Sequence, residues 1–178
     1  PRKTSRKKRK KEFASIIDNN TRLLLKLVND VLELSRIESG NMSFHCEDCS
    51  AHHFAETVYQ THQVIILPPV EFIKEFPDED VTIHIDRMRL TQASHSVWNA
   101  KKFTSQGHIK LGYFCDKEKK EIHIFVEDTG AGIPKEELQM IFERFYKRNE
   151  FVQGVGLGLA ISKVIVEKMT DTSMCNPR

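Results

Sequence analysis

Two glycine clusters, separated by a short segment that contains two phenylalanines, are the part of this sequence best suited to chemistry. The first spans 128–134 and reads DTGAGIP; the second spans 154–159, reads GVGLGL and leads into a helical pattern. Glycine lets a backbone approach a ligand closely, and a glycine-rich turn that opens a helix presents N–H groups to a phosphate. Either cluster alone is most simply a surface loop. Both clusters, with Phe142 and Phe145 between them, indicate a site for a phosphate-bearing ligand.

These segments resemble the catalytic ATP-binding domain of two-component sensor histidine kinases, which belongs to the GHKL ATP-binding fold. The resemblance rests on the DxGxGIP box, the FxxF segment and the GxGLGL box, and it extends over roughly residues 13–169. It implies an α/β (α+β) fold: a two-layer sandwich of a mixed sheet and helices, preceded by a long bundle helix. It also implies that the cofactors are ATP and Mg²⁺.

A third segment, expected to form one helix over 86–103 with Asp86 as its N-cap, matches the asparagine box of that family. The family pattern is N-x-x-x-N-A-x-K-[FY], and this chain has His95-x-x-x-Asn99-Ala-Lys-Lys102-Phe103. By resemblance, Asn99 is the metal ligand, and a neutral carbonyl oxygen suits Mg²⁺. Lys102 then lies where a cation approaches the nucleotide phosphates. A lone asparagine or lysine on a helix would otherwise be read as simply solvated.

This helix departs from the family pattern in three ways. His95 replaces the first asparagine, Lys101 replaces an apolar residue, and the chain is one residue short between Gln92 and Asn99. Deleting one residue rotates the rest of a helix by about 100°. Either the helix compensates locally, or Asn99 and the core face that contains Leu90 cannot both take the family positions.

The resemblance also assigns roles around the glycines. Asp128 accepts a hydrogen bond from the adenine amine, and such a carboxylate would select adenine over guanine. No GK[ST] follows the second cluster, so it is not a Walker A loop. Residues 146–154 would form a lid over the phosphates. The residues expected to bind the nucleotide are Asn99, Lys102, Phe103, Asp128, Gly130, Gly132, Ile133, Lys147, Gly154, Gly156, Leu157 and Gly158, and Asn99 is also the expected metal ligand.

Apolar residues at 3–4 spacing predict a long helix over 13–38, and Gly40 is its stop signal. The stretch LVNDVLELSRIESG resembles the second helix of the kinase dimerisation and phosphotransfer hairpin. The box that carries the phospho-accepting histidine is not found, so we expect no catalytic residue in this chain. We expect a disordered basic tail at 1–12, the hairpin helix at 13–40, and a catalytic ATP-binding domain at 41–178 that is truncated at its C-terminus.

The remaining pattern predicts strands at 42–47, 70–76 and 81–85 and a hairpin across 107–126. Helices are expected through 54–62, over 135–145 and over 159–169. Phe142 and Phe145 are expected to be packing residues that support the lid.

Composition narrows the functional classes. Residues 1–11 contain eight lysines and arginines and no acid; a solvated tail is favoured over a nucleic-acid contact, because no interleaved aromatic residues accompany the run. No membrane span or signal peptide is visible, and four scattered cysteines fit a reducing cytoplasm. The cluster Cys46, Cys49, His52 and His53 has zinc-ligand spacing, but it lacks a second distant pair.

Three functions remain open. The first is the ATP-binding portion of a sensor histidine kinase that phosphorylates a histidine supplied elsewhere. By resemblance, the intact protein would be a homodimer through the N-terminal helix, its partner would be a response-regulator receiver domain, and only missing parts would meet the membrane. The second is a GHKL ATP hydrolase, which needs a glutamate where this chain has His95. The third is a non-catalytic scaffold with a degenerate nucleotide site.

Overall fold

The longest element is helix α1, Arg2–Glu38, in a computed structural model that describes residues 2–119, 121–148 and 154–170. The helix begins at Arg2 rather than at residue 13, so the basic run is helical and not a separate disordered tail. Lysine and arginine are good helix formers, and neither glycine nor proline separates the run from the apolar pattern. Gly40 adopts φ 68° just beyond the helix, as expected of a left-handed C-terminal residue.

The strands form two small sheets, one of which is mixed as predicted. In the mixed sheet the middle strand is parallel to one neighbour and antiparallel to the other. The other sheet is a two-stranded antiparallel pair. After α1, the regular elements in chain order are β1 (Glu47–Ser50), α2 (Ala51–Gln63), β2 (Val70–Glu75), β3 (Thr82–Ile85), α3 (Arg87–Ala93), α4 (His95–Phe103), β4 (Gly107–Asp116), β5 (Glu121–Asp128) and α5 (Gly158–Thr170).

The order within the mixed sheet is β2–β4–β5, and β1 pairs with β3. The first strand therefore lies later than the predicted 42–47. Its pairing explains the shift, because Glu47 lies opposite Ile85 and Ser50 lies opposite Thr82. Ser50 then serves as the N-cap of α2 by accepting a hydrogen bond from the His53 N–H at 2.9 Å.

One face of the mixed sheet is covered by helices α2 and α4. Their buried side chains meet the inward-facing residues of β4 in one cluster: Phe54, Val58, Ile66, Val97, Ala100, Ile109 and Leu111. Val97 and Ile109 are both 0% exposed. Burial of this apolar surface is the main force that joins the two layers. The two-layer arrangement of helices and a mixed sheet is confirmed.

The helix predicted over 86–103 is divided at Ser94. Asp86 caps α3 by accepting the Arg89 N–H at 3.0 Å, as predicted, but α3 ends at Ala93 and α4 begins at His95. At the junction Ser94 has ψ 4°, outside the helical range. The break compensates for the missing residue, because Leu90 before it and Val97 after it both pack into the sheet cluster. Local compensation is thus the outcome in this chain.

A second cluster joins the end of α1 to α5. Leu34, Ile37 and Met42 pack against Leu157, Ile161 and Ile165. Polar contacts extend the same interface, because the Glu33 carboxylate accepts hydrogen bonds from Arg89 and Gln92 of α3. The C-terminal third of α1 is therefore fixed against α3 and α5.

The segment predicted as a helix over 135–145 contains only two 3₁₀ turns, Lys135–Glu137 and Met140–Phe142. Its apolar side chains are largely exposed, with Leu138 at 47%, Phe142 at 39% and Phe145 at 58%. A helix this short needs tertiary packing to be stable, and an exposed segment receives little. Phe142 and Phe145, which were expected to be packing residues that support the lid, are therefore not buried in a core.

None of the helices among the described residues combines the length and the apolar character that a bilayer span requires.

Candidate functional site

The first part of the site forms where β5 ends. Asp128 is the last residue of β5, and its Oδ1 accepts hydrogen bonds from the Gly130 N–H at 2.8 Å and from the Thr104 hydroxyl at 3.3 Å. Thr104 is 5% exposed and directly follows α4. These two bonds tie the end of β5 to the end of α4 and fix the orientation of the Asp128 carboxylate.

Gly130 has no room for a side chain. A Cβ at this position would lie 2.6 Å from the Phe103 carbonyl oxygen, 2.7 Å from Asp128 Oδ1 and 2.9 Å from Thr104 Oγ1. The Ala131 N–H also donates to the Phe103 carbonyl at 3.4 Å. The first glycine cluster therefore folds against the end of α4, and glycine at 130 is required by this close approach.

Helix α4 presents the polar side chains of the site. Asn99 and Lys102 are three residues apart, so they lie on the same face of the helix, and both are half-buried. The buried neighbours Val97 and Ala100 fix the opposite face against the sheet. Asn99 and Lys102 are thus held away from the core.

The second glycine cluster meets Lys102. A Cβ built on Gly154 would lie 3.2 Å from Lys102 Nζ, and Gly154 has φ 140°. Lys102 Nζ also lies 5.3 Å from the centroid of the Phe103 ring. A cation on α4 therefore faces the backbone of a glycine-rich turn, and this arrangement suits a phosphate group.

Burial lowers the pKa of Lys102, and the positive charges of Lys147 and Lys26 lower it further. No carboxylate among residues 2–119, 121–148 and 154–170 forms an ion pair with Lys102. Positive charges on two other segments thus disfavour the charged form of Lys102. A bound anion would relieve both the desolvation and the repulsion.

The two ends of the predicted lid are joined by a backbone hydrogen bond. The Phe145 N–H donates to the Gly156 carbonyl at 2.9 Å, and Phe145 has the positive φ of 63°, which is unusual for a bulky residue. A Cβ on Gly156 would lie 2.6 Å from the Tyr146 carbonyl oxygen. Of the predicted lid, residues 149–153 lie outside the described part of the chain.

Most of the predicted binding residues lie around the end of α4 and the two glycine clusters, but Ile133 and Leu157 differ in their exposure to solvent. Ile133 is 46% exposed beside the first glycine cluster, whereas Leu157 is 1% exposed and packs in the cluster with α1. The Leu157 side chain is therefore a core residue. Gly158, the last of the predicted set, is the first residue of α5.

Sequence reasoning missed three residues. Thr104 holds Asp128, and Arg148 donates to the Gly132 carbonyl at 2.9 Å, which links the start of the lid to the first glycine cluster. A hydroxyl directly after the asparagine box was the available signal for Thr104. No local pattern indicated Arg148 or the approach of Lys26 from α1.

The alternative zinc site has no ligand set in the described residues, where no group of three or more His, Cys, Asp or Glu side chains is arranged to hold a metal. Cys46 is disulfide-bonded. Burial is the largest factor that raises the pKa of the Cys49 thiol, which disfavours the thiolate that zinc requires.

Replacing Lys102 with methionine should separate stability from ligand binding. Without an anion, we expect the variant to unfold about 1–3 °C higher, because a desolvated and repelled charge is removed. The folded pKa of Lys102 lies below its unfolded value. The penalty is therefore complete below the folded pKa and disappears as the pH rises through the unfolded pKa.

The measurement is thermal unfolding of both proteins from pH 7 to pH 11. The gap between their midpoints should narrow at high pH. The matched control is Lys101→Met, the exposed neighbour, which should not change the midpoint in this way. A K102M protein that is less stable than the original at pH 7 would contradict the assignment.

Comparisons with known proteins agree with this geometry. Residues 75–176 match the family described as "Histidine kinase-, DNA gyrase B-, and HSP90-like ATPase". The sensor histidine kinase WalK of Bacillus subtilis is 33% identical over 161 residues, which cover 87% of this chain and 26% of that protein. The sensor histidine kinase RcsC of Salmonella typhimurium is 32% identical over 164 residues, and these cover 17% of its length.

Solved structures show the same fold. Full-length ShkA, in complex with AMPPNP, superposes with a TM-score of 0.73 at 29% identity and covers 82% of this chain and 31% of its own. The nucleotide-free catalytic domain of the histidine kinase ThkA superposes with a TM-score of 0.63 at 27% identity, and the match covers 70% of this chain and 82% of that domain.

This chain spans only about a quarter of the length of WalK and less of the length of RcsC.

Proposed function

Since this chain belongs to the family of histidine kinase-, DNA gyrase B- and HSP90-like ATPases, we propose that it is the ATP-binding catalytic portion of a sensor histidine kinase in two-component signal transduction. The observation that carries the proposal is that both glycine clusters meet the C-terminal end of helix α4. Thr104 and Phe103 at its end meet Asp128 and the first glycine cluster, and Lys102 meets the second cluster.

At one end, Asp128 would bind the adenine. Its two donors, Gly130 and Thr104, both bind Oδ1, which leaves Oδ2 to accept a hydrogen bond from an amine of the base. The carbonyl of guanine at the same place would leave two acceptors facing each other. The carboxylate therefore provides specificity for adenine, and the close backbone at Gly130 gives the base a surface to lie against.

At the other end, Lys102 and the glycine turn would hold the phosphates, with Lys147 as a further cation. Asn99 supplies one neutral oxygen on the same face of α4, and its side chain forms no hydrogen bond with any other residue that the structure describes. One such oxygen fits Mg²⁺, which takes few protein ligands besides water and phosphate oxygens. When bound, Mg²⁺ would neutralise charge on the phosphate chain.

The reaction would be phosphoryl transfer to a histidine outside this chain. An imidazole nitrogen attacks the γ-phosphorus in line, the bond to the β–γ bridging oxygen breaks, ADP leaves with that electron pair, and the imidazole proton passes to water. The role of this chain is to hold the nucleotide, through Asp128 at the base and Lys102 at the phosphates. Positioning and electrostatic stabilisation account for most of the catalysis in such reactions.

The alternatives make different predictions. A hydrolase would require a general base near the phosphates to activate water, and the sequence has His95 where a glutamate is needed. A scaffold without nucleotide binding is favoured only by the break at Ser94. Since Leu90 and Val97 still share one core cluster across the break, the orientation of α4 is retained, and the kinase function remains the better account.

The partners follow from the same proposal. Helix α1 has large exposed apolar side chains along its length, including Phe13 at 61%, Ile17 at 65% and Leu24 at 62%. A second α1 would cover this surface in a bundle. We infer a homodimer through α1 and, as a further partner, a response-regulator receiver domain. Because ATP is available there, the place of action would be the cytoplasm, with any membrane contact in other parts of the protein.

The test is calorimetric titration of the chain with AMPPNP, with and without Mg²⁺, together with circular dichroism to establish folding. Magnesium-dependent binding is the expected result. A folded chain that binds no nucleotide would contradict the proposed function and favour the scaffold. Steady release of phosphate from ATP, without an acceptor histidine, would favour the hydrolase.

Replacing Asn99 with alanine should reduce the affinity for AMPPNP in the presence of Mg²⁺ by about 10-fold, which corresponds to roughly 1.4 kcal/mol. Without Mg²⁺ the affinity should change by less than about twofold, because the lost group acts through the metal. The matched control, Asn41→Ala, removes an exposed asparagine far from α4 in sequence. Equal loss of affinity with and without Mg²⁺ would contradict the metal assignment.

A further inference from the structure

The last residue of α1, Glu38, forms an ion pair with Arg144, which lies 106 positions later in the sequence. The Arg144 guanidinium donates a hydrogen bond to the Glu38 carboxylate. Both side chains are about half exposed, at 45% for Arg144 and 55% for Glu38, and an exposed ion pair by itself contributes little to stability. The contacts of the residues that follow Arg144 support a more specific role.

Arg144 begins a short stretch, residues 144–148, that we call the bridging segment. Its second residue is bound to the second glycine cluster, because the Phe145 N–H donates to the Gly156 carbonyl at 2.9 Å. The two backbones are also in close contact, since a Cβ on Gly156 would lie 2.6 Å from the Tyr146 carbonyl oxygen and 2.8 Å from the Phe145 carbonyl carbon. A shift of the bridging segment would therefore move the second glycine cluster.

The last residue of the bridging segment is bound to the first glycine cluster. Arg148 Nη1 donates to the Gly132 carbonyl at 2.9 Å, and Arg148 Nε lies 3.6 Å from Oε2 of Glu137. The Glu137 side chain is only 26% exposed, so this carboxylate holds the guanidinium from the protein side. One segment of five residues thus contacts α1 at its start and both glycine clusters beyond it.

The last turn of α1 also contacts the second glycine cluster directly. Leu157 of that cluster is 1% exposed and packs against Leu34 and Ile37. The end of α1 therefore holds both sides of the hydrogen bond that joins the bridging segment to the cluster: Glu38 holds Arg144 on one side, and the apolar residues hold Leu157 on the other.

We propose that Glu38 and Arg144 are a positioning pair for the nucleotide site. The end of α1 holds the bridging segment, and the bridging segment holds the two glycine clusters in the arrangement that binds ATP. This inference rests on the proposed function. Because coupling between two sites is reciprocal, binding of ATP should in turn strengthen the contact between α1 and the bridging segment.

The test is calorimetric titration of the whole chain with AMPPNP and Mg²⁺, on the original protein, on Glu38→Gln, on Arg144→Gln and on the double variant. We expect the affinity of each single variant to fall about 3- to 5-fold, as for loss of one ion pair. The double variant should lose no more than either single variant, because all three remove the same contact. The exchanged pair, Glu38→Arg with Arg144→Glu, restores opposite charges and should recover most of the affinity.

The matched control is Glu79→Gln, which breaks the exposed ion pair of Glu79 with Lys117 at 2.8 Å. Lys117 lies in the turn between β4 and β5, whereas Asp128 is at the opposite end of β5. The chemical change and the change of net charge are the same as in Glu38→Gln, and the affinity should stay unaltered. A loss of AMPPNP binding in E79Q equal to that in E38Q would reduce the effect to net charge and overturn the inference.

The remaining outcomes separate the two proposals. If the original chain binds AMPPNP and both single variants bind it equally well, the positioning role is wrong and the proposed function stands. If the losses of the single variants add in the double variant, or the exchanged pair recovers nothing, the two residues do not act as a pair and the inference is wrong. If the original chain, shown to be folded by circular dichroism, binds no nucleotide, the proposed function fails and this inference fails with it.

Discussion

Replacing Asp128 with asparagine is expected to lower the affinity for AMPPNP by about 30- to 150-fold, or roughly 2–3 kcal/mol. The amide can keep its oxygen at the position of Oδ1, where Gly130 and Thr104 donate. Its NH₂ group then occupies the position of Oδ2 and would face the amine of a bound adenine. Two donors would be left opposite each other in a desolvated site. The fold should be preserved, since both existing hydrogen bonds remain.

The measurement is calorimetric titration in the presence of Mg²⁺, with thermal unfolding as the test of folding. Glu127→Gln provides the control, because it makes the same chemical change one residue earlier. Glu127 points to the other face of β5, where it pairs with Lys110 and His108. Its affinity should match that of the original protein. Asp128→Asn binding within twofold of the original would mean that the base is recognised elsewhere.

Replacing Gly130 with alanine should destabilise the fold strongly, because the added methyl group has no room. We expect a loss of about 2–3 kcal/mol in the free energy of unfolding and a midpoint lower by about 4–12 °C. The added Cβ would meet a carbonyl oxygen of the backbone, Phe103, at 2.6 Å. A backbone atom at the end of a packed helix cannot move aside as the tip of a side chain can. Nucleotide binding should be lost as well, because Asp128 must also shift.

Gly158→Ala is the matched control for stability. Gly158 is the first residue of α5, its φ is not positive, and a Cβ there would meet nothing within 4 Å. Alanine is the better helix former by up to about 1 kcal/mol, so this variant should be as stable as the original or slightly more so. The measurement is thermal unfolding of the two variants under the same conditions, which compares their unfolding midpoints. A Gly130→Ala protein as stable as Gly158→Ala would show that the loop relaxes freely.

Local signals in the sequence were sufficient for the elements that position the site. Asp86 was predicted to cap a helix, and it does so. The hairpin that carries Asp128 follows from its alternating pattern. The missing residue before Asn99 marked the helix as irregular but left open whether it compensates locally or displaces Asn99. In each case the cause lies within a few residues, as it does for caps, turns and periodicity.

Contacts between distant segments were not predictable in this way. Nothing near Lys26 in the sequence indicates that its charge affects the pKa of Lys102, because that effect depends on how α1 packs against α5. The contact of Arg148 with the Gly132 carbonyl depends on the fold of two loops. The 3₁₀ turns before Phe145 were missed because their sequence favours a helix, while the packing that would stabilise one is missing. Tertiary packing therefore decided each of these outcomes.

The break at Ser94 separates two short helices that have different contacts. Helix α3 is bound by Glu33 of α1, whereas helix α4 carries Asn99 and Lys102. In an unbroken helix, a continuous series of backbone hydrogen bonds would transmit a rotation of the first part to the second part. Here the series is interrupted at Ser94, so α3 and α4 are two separate helical segments rather than one rigid helix. A rotation of α1 that reached α3 through Glu33 would therefore reach α4 only through the Ser94 junction and the core cluster that Leu90 and Val97 share.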